Sequence, residues 1–110
     1  MLNWKKKKIN NISIIYIING TPEDELINIV KLYFKNKNLL KISTKLNNLP
    51  GFFSFIAQKG ELKGACVDRI RSFPILYDKK KNQFLYGKKI QQIKFKKKDL
   101  ENDALKLFSL

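Results

Sequence analysis

Histidine is absent from this chain of 110 residues, and cysteine occurs only once, at Cys66. One cysteine cannot form an internal disulfide bond, and His and Cys are the usual zinc ligands, so the sequence predicts no metal site. The absence of His also excludes every catalytic scheme in which an imidazole serves as the general base. No other motif in the sequence indicates a cofactor, and we expect none.

Long apolar runs are also missing. The longest, residues 12–18, has the length of a strand and is far shorter than the roughly 18 residues that indicate a membrane-spanning helix. The first eight residues include four lysines and lack the apolar core of a secretory signal peptide. A chain of this length with 44% apolar residues fits one domain over residues 1–110. We therefore expect a single-domain cytoplasmic protein with no membrane partner.

Acidic residues and arginine are scarce. Two of the 23 basic residues are arginines, Arg69 and Arg71, and the formal net charge is +14. The lysine runs at residues 5–8, 79–81 and 96–98 are typical of solvated turns or of sheet edges, where lysine blocks pairing between chains. Lys, Ile and Asn are also the residues that A- and T-rich codons supply, so we attribute most of the charge to composition.

The pattern between residues 12 and 36 predicts a strand followed by a helix. Its first part is β-branched and aromatic and ends at the turn signal Asn19-Gly20. Thr21 is placed as an N-cap, with Pro22 at the first helical position. An apolar stripe at helical spacing predicts an amphipathic helix over residues 22–36. The stripe consists of Leu26, Ile29, Val30, Tyr33 and Phe34.

The remaining pattern predicts a shorter helix and several short strands. The helix spans residues 39–48 and is stopped by Pro50-Gly51. Residues 53–57 are apolar on both faces, which is typical of an inner strand. Further strands are predicted at Leu62–Val67, 75–77, Gln83–Tyr86 and 90–95, with a last short helix from Asp99. Helices combined with mainly antiparallel hairpins indicate an α+β fold.

Residues 50–77 read PGFFSFIAQKGELKGACVDRIRSFPILY. This segment resembles part of the N-terminal glutamine amidotransferase domain of asparagine-synthetase-like proteins, which is of the class II, N-terminal-nucleophile type. The run Asp-Arg-Ile-Arg-Ser-Phe-Pro is closer to the asparagine-synthase-related proteins of bacterial polysaccharide gene clusters. The resemblance implies an αββα sandwich, here incomplete. The positions that carry it are Gly51, Asp68, Arg69, Arg71, Ser72, Pro74 and Tyr77.

Asp68 opens the connection between residues 68 and 74. An aspartate in a tight turn can tie down backbone N–H groups, and we expect Asp68 to do so. The alternative is a plain surface turn with an ion pair to Arg69 or Arg71. Two positions depart from the family pattern: Val67 stands where an arginine precedes the aspartate, and Arg71 stands where a glycine is usual.

The family's nucleophile is a cysteine at residue one, whose own α-amine acts as the base. Here Met1 is followed by Leu2, and Cys66 lies mid-strand among apolar neighbours, as an inert core residue does. Asn19-Gly20 matches the family's Asn-Gly pair that binds the oxyanion, or is only a turn. We therefore predict no catalytic residue in these 110 residues, unless the gene begins upstream with Met-Cys.

The sequence thus indicates a truncated or degenerate amidotransferase-like domain with a structural role. Its implied partner is an asparagine-synthetase-type ATP-using domain, in cis or on a separate chain, since no SGGxDS-like ATP motif is present. Such a domain would expose an apolar face, which favours self-association. The alternative is a small basic nucleic-acid-binding α+β module, supported by charge and by Tyr77, Phe84 and Tyr86 on candidate strands. Scarce arginine argues against it, because arginine makes most specific base contacts.

Overall fold

The computed structural model of this chain describes residues 3–36 and 39–88. Within these ranges two helices and six strands follow the order predicted from the sequence, with one strand added at the start. The elements are β1 (Lys5–Ile9), β2 (Ile12–Asn19), α1 (Glu23–Asn36), α2 (Leu39–Asn47), β3 (Phe52–Lys59), β4 (Leu62–Val67), β5 (Ile75–Asp78) and β6 (Gln83–Tyr86). The strand predicted at residues 90–95 and the helix predicted from Asp99 lie outside the described residues.

The first lysine run forms strand β1 at the edge of a sheet. It pairs with β2 through a two-residue turn at Asn10-Asn11, where the φ angles are 50° and 66°. Positive φ at both central residues is what a tight hairpin turn requires, and asparagine tolerates it better than most residues. All four lysines are exposed. Of the two interpretations of this run, the sheet edge is therefore correct.

Four antiparallel strands form the main sheet, in the order β1-β2-β3-β4, and β5 and β6 form a separate hairpin. β3 is an inner strand, and residues 53–57 are buried on both of its faces, as the sequence predicted. The described residues therefore have an α+β fold with mainly antiparallel strands in an open sheet.

Both helices cover one face of the main sheet. The apolar stripe of α1 is buried there with Ile42 and Leu46 of α2 and with alternate residues of β2 and β3, among them Ile14 and Phe55. Residues at positions i, i+3, i+4 and i+7 share one side of a helix, while alternate residues share one side of a strand, so the two patterns meet in one core.

The hairpin of β5 and β6 covers the opposite face. A second apolar cluster joins Ile75 of this hairpin to Ile56 of β3 and Ala65 of β4, with half-buried aromatic side chains around them. The described chain thus has three layers: helices, a four-stranded sheet, and a two-stranded hairpin. The central sheet is covered on both sides, which explains why its inner strand carries no charged residue between positions 52 and 57.

Candidate functional site

One end of the four-stranded sheet gathers the segments that the sequence singled out. β2 ends at Asn19, which is paired with Phe52 at the start of β3, and β4 ends at Val67, which is paired with Ser54. Because neighbouring antiparallel strands run in opposite directions, the turns after β2 and β4 meet the connection before β3 at this end. The motif residues brought together are Asn19, Gly20, Gly51, Asp68 and Arg69.

Gly20 and Gly51 bring two backbone segments into direct contact. Both have a left-handed conformation, with φ of 78° and 79°. A methyl group on Gly51 would lie 2.4 Å from the carbonyl carbon of Gly20 and 2.6 Å from the carbonyl oxygen of Asn19. No real Cβ atom approaches backbone so closely, so this junction requires glycine at position 51.

Thr21 fastens the same junction. Its buried hydroxyl donates a hydrogen bond to the carbonyl oxygen of Pro50 at 2.7 Å and lies 3.2 Å from that of Phe52. The sequence placed Thr21 as the N-cap of α1. Its described hydrogen bonds instead run to the connection between α2 and β3, because the turn after β2 packs against that connection.

The carboxylate of Asp68 holds the turn after β4 against the start of β3. Its Oδ2 accepts a hydrogen bond from the backbone N–H of Phe53, and its Oδ1 accepts one from that of Ser72, each at 3.0 Å. The backbone N–H of Asp68 donates in turn to the carbonyl oxygen of Phe53 at 3.1 Å. The predicted tie between Asp68 and backbone N–H groups is therefore confirmed.

Arg71 has a left-handed backbone, with φ of 53°. Its N–H donates to the carbonyl oxygen of Asp68 at 3.1 Å, which closes the turn. Further along, the hydroxyl of the fully buried Ser54 donates to the carbonyl oxygen of Phe73, while the buried Ser72 Oγ has no hydrogen-bond partner. The exposed Pro74 then leads into β5. The turn thus places a bulky side chain in a conformation that favours glycine.

A cleft of about 290 Å³ lies between α2 and this end of the sheet. Its volume falls just below the range of roughly 300–1,000 Å³ that is usual for small-molecule sites. Side chains of α2, of the strand ends and of the turn after β4 form its walls. The residues that line it include Ser43, Asn47, Phe52, Asp68, Arg69 and Ile70.

Cys66 lines the inner wall of this cleft. It lies on β4, paired with Phe55, and is buried. Burial and, to a lesser extent, the negative charge of Asp68 together raise the pKa of its thiol to about 12. A thiol with this pKa is protonated at neutral pH and is a poor nucleophile. The prediction that Cys66 is a buried core residue is confirmed.

Comparison with protein-family models, with curated proteins and with solved structures finds no match to this chain. The site must therefore be judged from its own geometry. In the part of the chain that the structure describes, no three His, Cys, Asp or Glu side chains group as metal ligands. No helix among the same residues is long and apolar enough to cross a membrane.

Sequence reasoning missed a charged cluster beside the same sheet end. The hydroxyl of the buried Tyr16 donates to Glu23 Oε1 at 2.5 Å, and the ammonium groups of Lys5 and Lys7 lie 3.7 Å from the Glu23 carboxylate. Burial, together with the hydrogen bond to Glu23 and its negative charge, raises the pKa of Tyr16 to about 12. The same bond lowers the pKa of Glu23. Lys5 and Lys7 share one face of β1, but nothing in the sequence indicated that Glu23 meets that face.

The aromatic side chains considered for nucleic-acid stacking pack against the sheet. Tyr77, Phe84 and Tyr86 are half-buried in the second apolar cluster. The rings of Tyr77 and Phe84 are 5.2 Å apart, and the ring of Tyr86 is 4.7 Å from that of Trp4. The hydroxyl of Tyr77 also donates to the side chain of Asn82. These contacts leave less of each ring for stacking on a base.

Proposed function

We propose that this chain is a non-catalytic, glutamine-amidotransferase-like module that acts structurally with an ATP-using synthetase-type domain. The observation that carries the proposal is the conformation of Arg71. In the family that the segment resembles, a glycine is usual at this position, and Arg71 here has the left-handed φ that glycine favours. The position at which this sequence departs from the resembled pattern thus has a backbone conformation that glycine favours.

The hydrogen bonds of Asp68 give further support. The acidic residue of the family motif is expected to shape the turn, and here its two carboxylate oxygens accept one backbone N–H from Ser72 within the turn and one from Phe53 of β3. A surface turn without such a role would not need the aspartate to reach β3. We also propose that the three layers correspond to an incomplete αββα sandwich. The two helices would form the first α layer, the four-stranded sheet the first β layer, and the hairpin of β5 and β6 part of the second β layer.

The non-catalytic part of the proposal follows from the chemistry at the sheet end. Glutamine hydrolysis in this family needs a thiolate with a free amine beside it as base. The chain's one thiol is buried on β4 with a pKa of about 12. The Thr21 hydroxyl is already engaged as a donor to Pro50. Asn19-Gly20 is the one candidate remnant of the family's oxyanion site, and without a nucleophile it has no intermediate to stabilise.

Two assays test this proposal. Ammonia release from glutamine should equal that of a boiled control, and release above it would refute the non-catalytic assignment. The DNA on either side of the reading frame should encode an ATP-pyrophosphatase-type domain, and the product of that frame should co-purify with this chain. A neighbouring frame of that type whose product stays separate would refute the structural partnership, as would salt-sensitive nucleic-acid binding without any such neighbour.

A further inference from the structure

Two of the four large apolar side chains that the described residues expose line the cleft at the sheet end. Phe52 is 42% exposed and Ile70 is 70% exposed. A third, Leu40, is 80% exposed on α2, three residues before Ser43, which also lines the cleft. Single exposed apolar residues are ordinary, but two that line one cleft indicate a candidate interaction surface.

The size and the walls of the groove bear on what enters it. A cleft of about 290 Å³ lies at the lower limit for small-molecule sites and can also hold a few protruding side chains. One wall is the exposed stripe of α2, and the other is the end of the sheet with the turn that Asp68 holds in place. Two fixed walls with an apolar floor form the geometry in which a helix or an extended segment inserts apolar anchors.

The charge of the groove selects among occupants. Both arginines of the chain are on the turn that borders it: Arg69 lines the cleft, and Arg71 is exposed two residues further on. The Asp68 carboxylate also lines it, but its oxygens accept two backbone N–H groups. A second copy of this chain would bring a net charge of +14 against the first, which opposes self-association at this face.

We propose that this groove docks an acidic amphipathic segment of the synthetase-type partner. Apolar side chains of that segment fill the space between Phe52 and Ile70, and its carboxylates pair with Arg69 and Arg71, whose planar guanidinium groups suit carboxylates. The inference rests on the proposed function, because it assigns the surface and the chemistry through which that partnership is made.

The test uses the full chain and a synthetic peptide of about 14 residues, or four helical turns, with Leu and Phe at positions i, i+3, i+4 and i+7 and Glu elsewhere. A control peptide has Lys in place of every Glu. Fluorescence anisotropy should show the acidic peptide binding at least about tenfold more tightly than the basic one, with a difference that shrinks at high salt.

Variants locate the binding. Ile70→Ser and Arg69→Glu should each weaken the acidic peptide by about tenfold, because each removes an anchor from the groove. The matched control is Leu62→Ser, since Leu62 is 49% exposed and is the first residue of β4, at the opposite end of that strand from the cleft. Circular dichroism of each variant checks that folding is unchanged, as expected for such exposed positions.

Several results would overturn the inference. Equal affinity for the two peptides would show that charge does not select the occupant. If Leu62→Ser weakens binding of the acidic peptide as much as Ile70→Ser does, the binding site is not this groove. A dimer in sedimentation that Ile70→Ser dissociates would make a second copy the occupant. If the peptide fails to bind while the synthetase-type product still co-purifies, the docking surface is wrong and the proposed function stands. If the peptide binds but that product does not co-purify, the function is wrong and the groove chemistry stands.

Discussion

The close contact between Gly20 and Gly51 can be tested with one matched pair of variants, Gly51→Ala and Gly60→Ala. Gly51→Ala puts a methyl group 2.4 Å from the carbonyl carbon of Gly20, at a φ of 79°. Gly60→Ala, in the turn between β3 and β4, also requires a positive φ, of 61°, but its methyl group would meet nothing within 4 Å. The two substitutions therefore share the backbone cost and differ in the steric one.

The backbone cost and the steric cost of these substitutions have different magnitudes. A left-handed conformation costs an L-residue about 1–2 kcal/mol, and the loss of glycine's freedom in the unfolded chain returns about 0.4–1 kcal/mol. Gly60→Ala should therefore lower the free energy of unfolding by about 1 kcal/mol. Forcing extra atoms into a closely packed contact costs a further 1–3 kcal/mol or so. Gly51→Ala should thus lower it by roughly 2–4 kcal/mol.

Urea unfolding followed by the fluorescence of Trp4 measures both values, since the chain has one tryptophan and its ring packs on Tyr86. The difference between the variants isolates the steric contact of the two glycines. Equal destabilisation by the two substitutions, within about 0.5 kcal/mol, would show that the segments around Gly20 and Gly51 are not in contact in solution. The geometry proposed for the sheet end would then be wrong.

Four further outcomes follow from the same region. Asp68→Ala should lower the free energy of unfolding by about 2–4 kcal/mol, because two backbone N–H groups lose a charged acceptor. Arg69→Ala, at an exposed position, should change that free energy by no more than about 0.5 kcal/mol in the same urea assay. Arg71→Gly should have a free energy of unfolding about 0.5–1 kcal/mol higher than Arg71→Ala. A lower value for the glycine variant would show that the backbone of residue 71 is not strained. Cys66 should react with a thiol reagent only after urea unfolding, and rapid native reaction would contradict its burial. Tyr16 should ionise near pH 12 when its titration is followed by ultraviolet absorbance. Because its pKa is higher in the folded than in the unfolded chain, it contributes to the free energy of unfolding fully below about pH 10, and this contribution is lost as the pH rises to about 12. The Tyr16→Phe variant should lack this pH-dependent loss of stability.

Periodicity in the sequence predicted most of the elements because each pattern reflects burial on one or two faces. The apolar stripe from Leu26 to Phe34 predicted α1, and residues 53–57 predicted the inner strand β3. Both results depend on local spacing alone. The positions of two turns followed from local Gly, Pro and Asn residues, at Asn19-Gly20 where β2 ends and at Pro50-Gly51 before β3.

Contacts between distant segments were beyond such reasoning. Four consecutive lysines carry no alternation, so β1 exists as a strand only because β2 offers it a pairing edge. Thr21 is typical of an N-cap by its neighbours, yet it donates to Pro50, 29 residues away. The cluster of Tyr16 with Glu23 likewise depends on β2 and α1 meeting at one end. At the sheet end, the sequence singled out motif residues such as Gly51 and Asp68 but gave no indication that they converge there.

The hydrogen bonds at the sheet end support the proposed docking role. Thr21 ties the turn after β2 to the connection before β3, and Asp68 ties the turn after β4 to the same strand. Both polar groups are thereby engaged in holding backbone, and the nearby thiol of Cys66 is protonated and buried. A catalytic end would need a free base or nucleophile that faces the cleft. A docking surface needs fixed walls, because a groove that is already ordered loses less entropy when its partner binds.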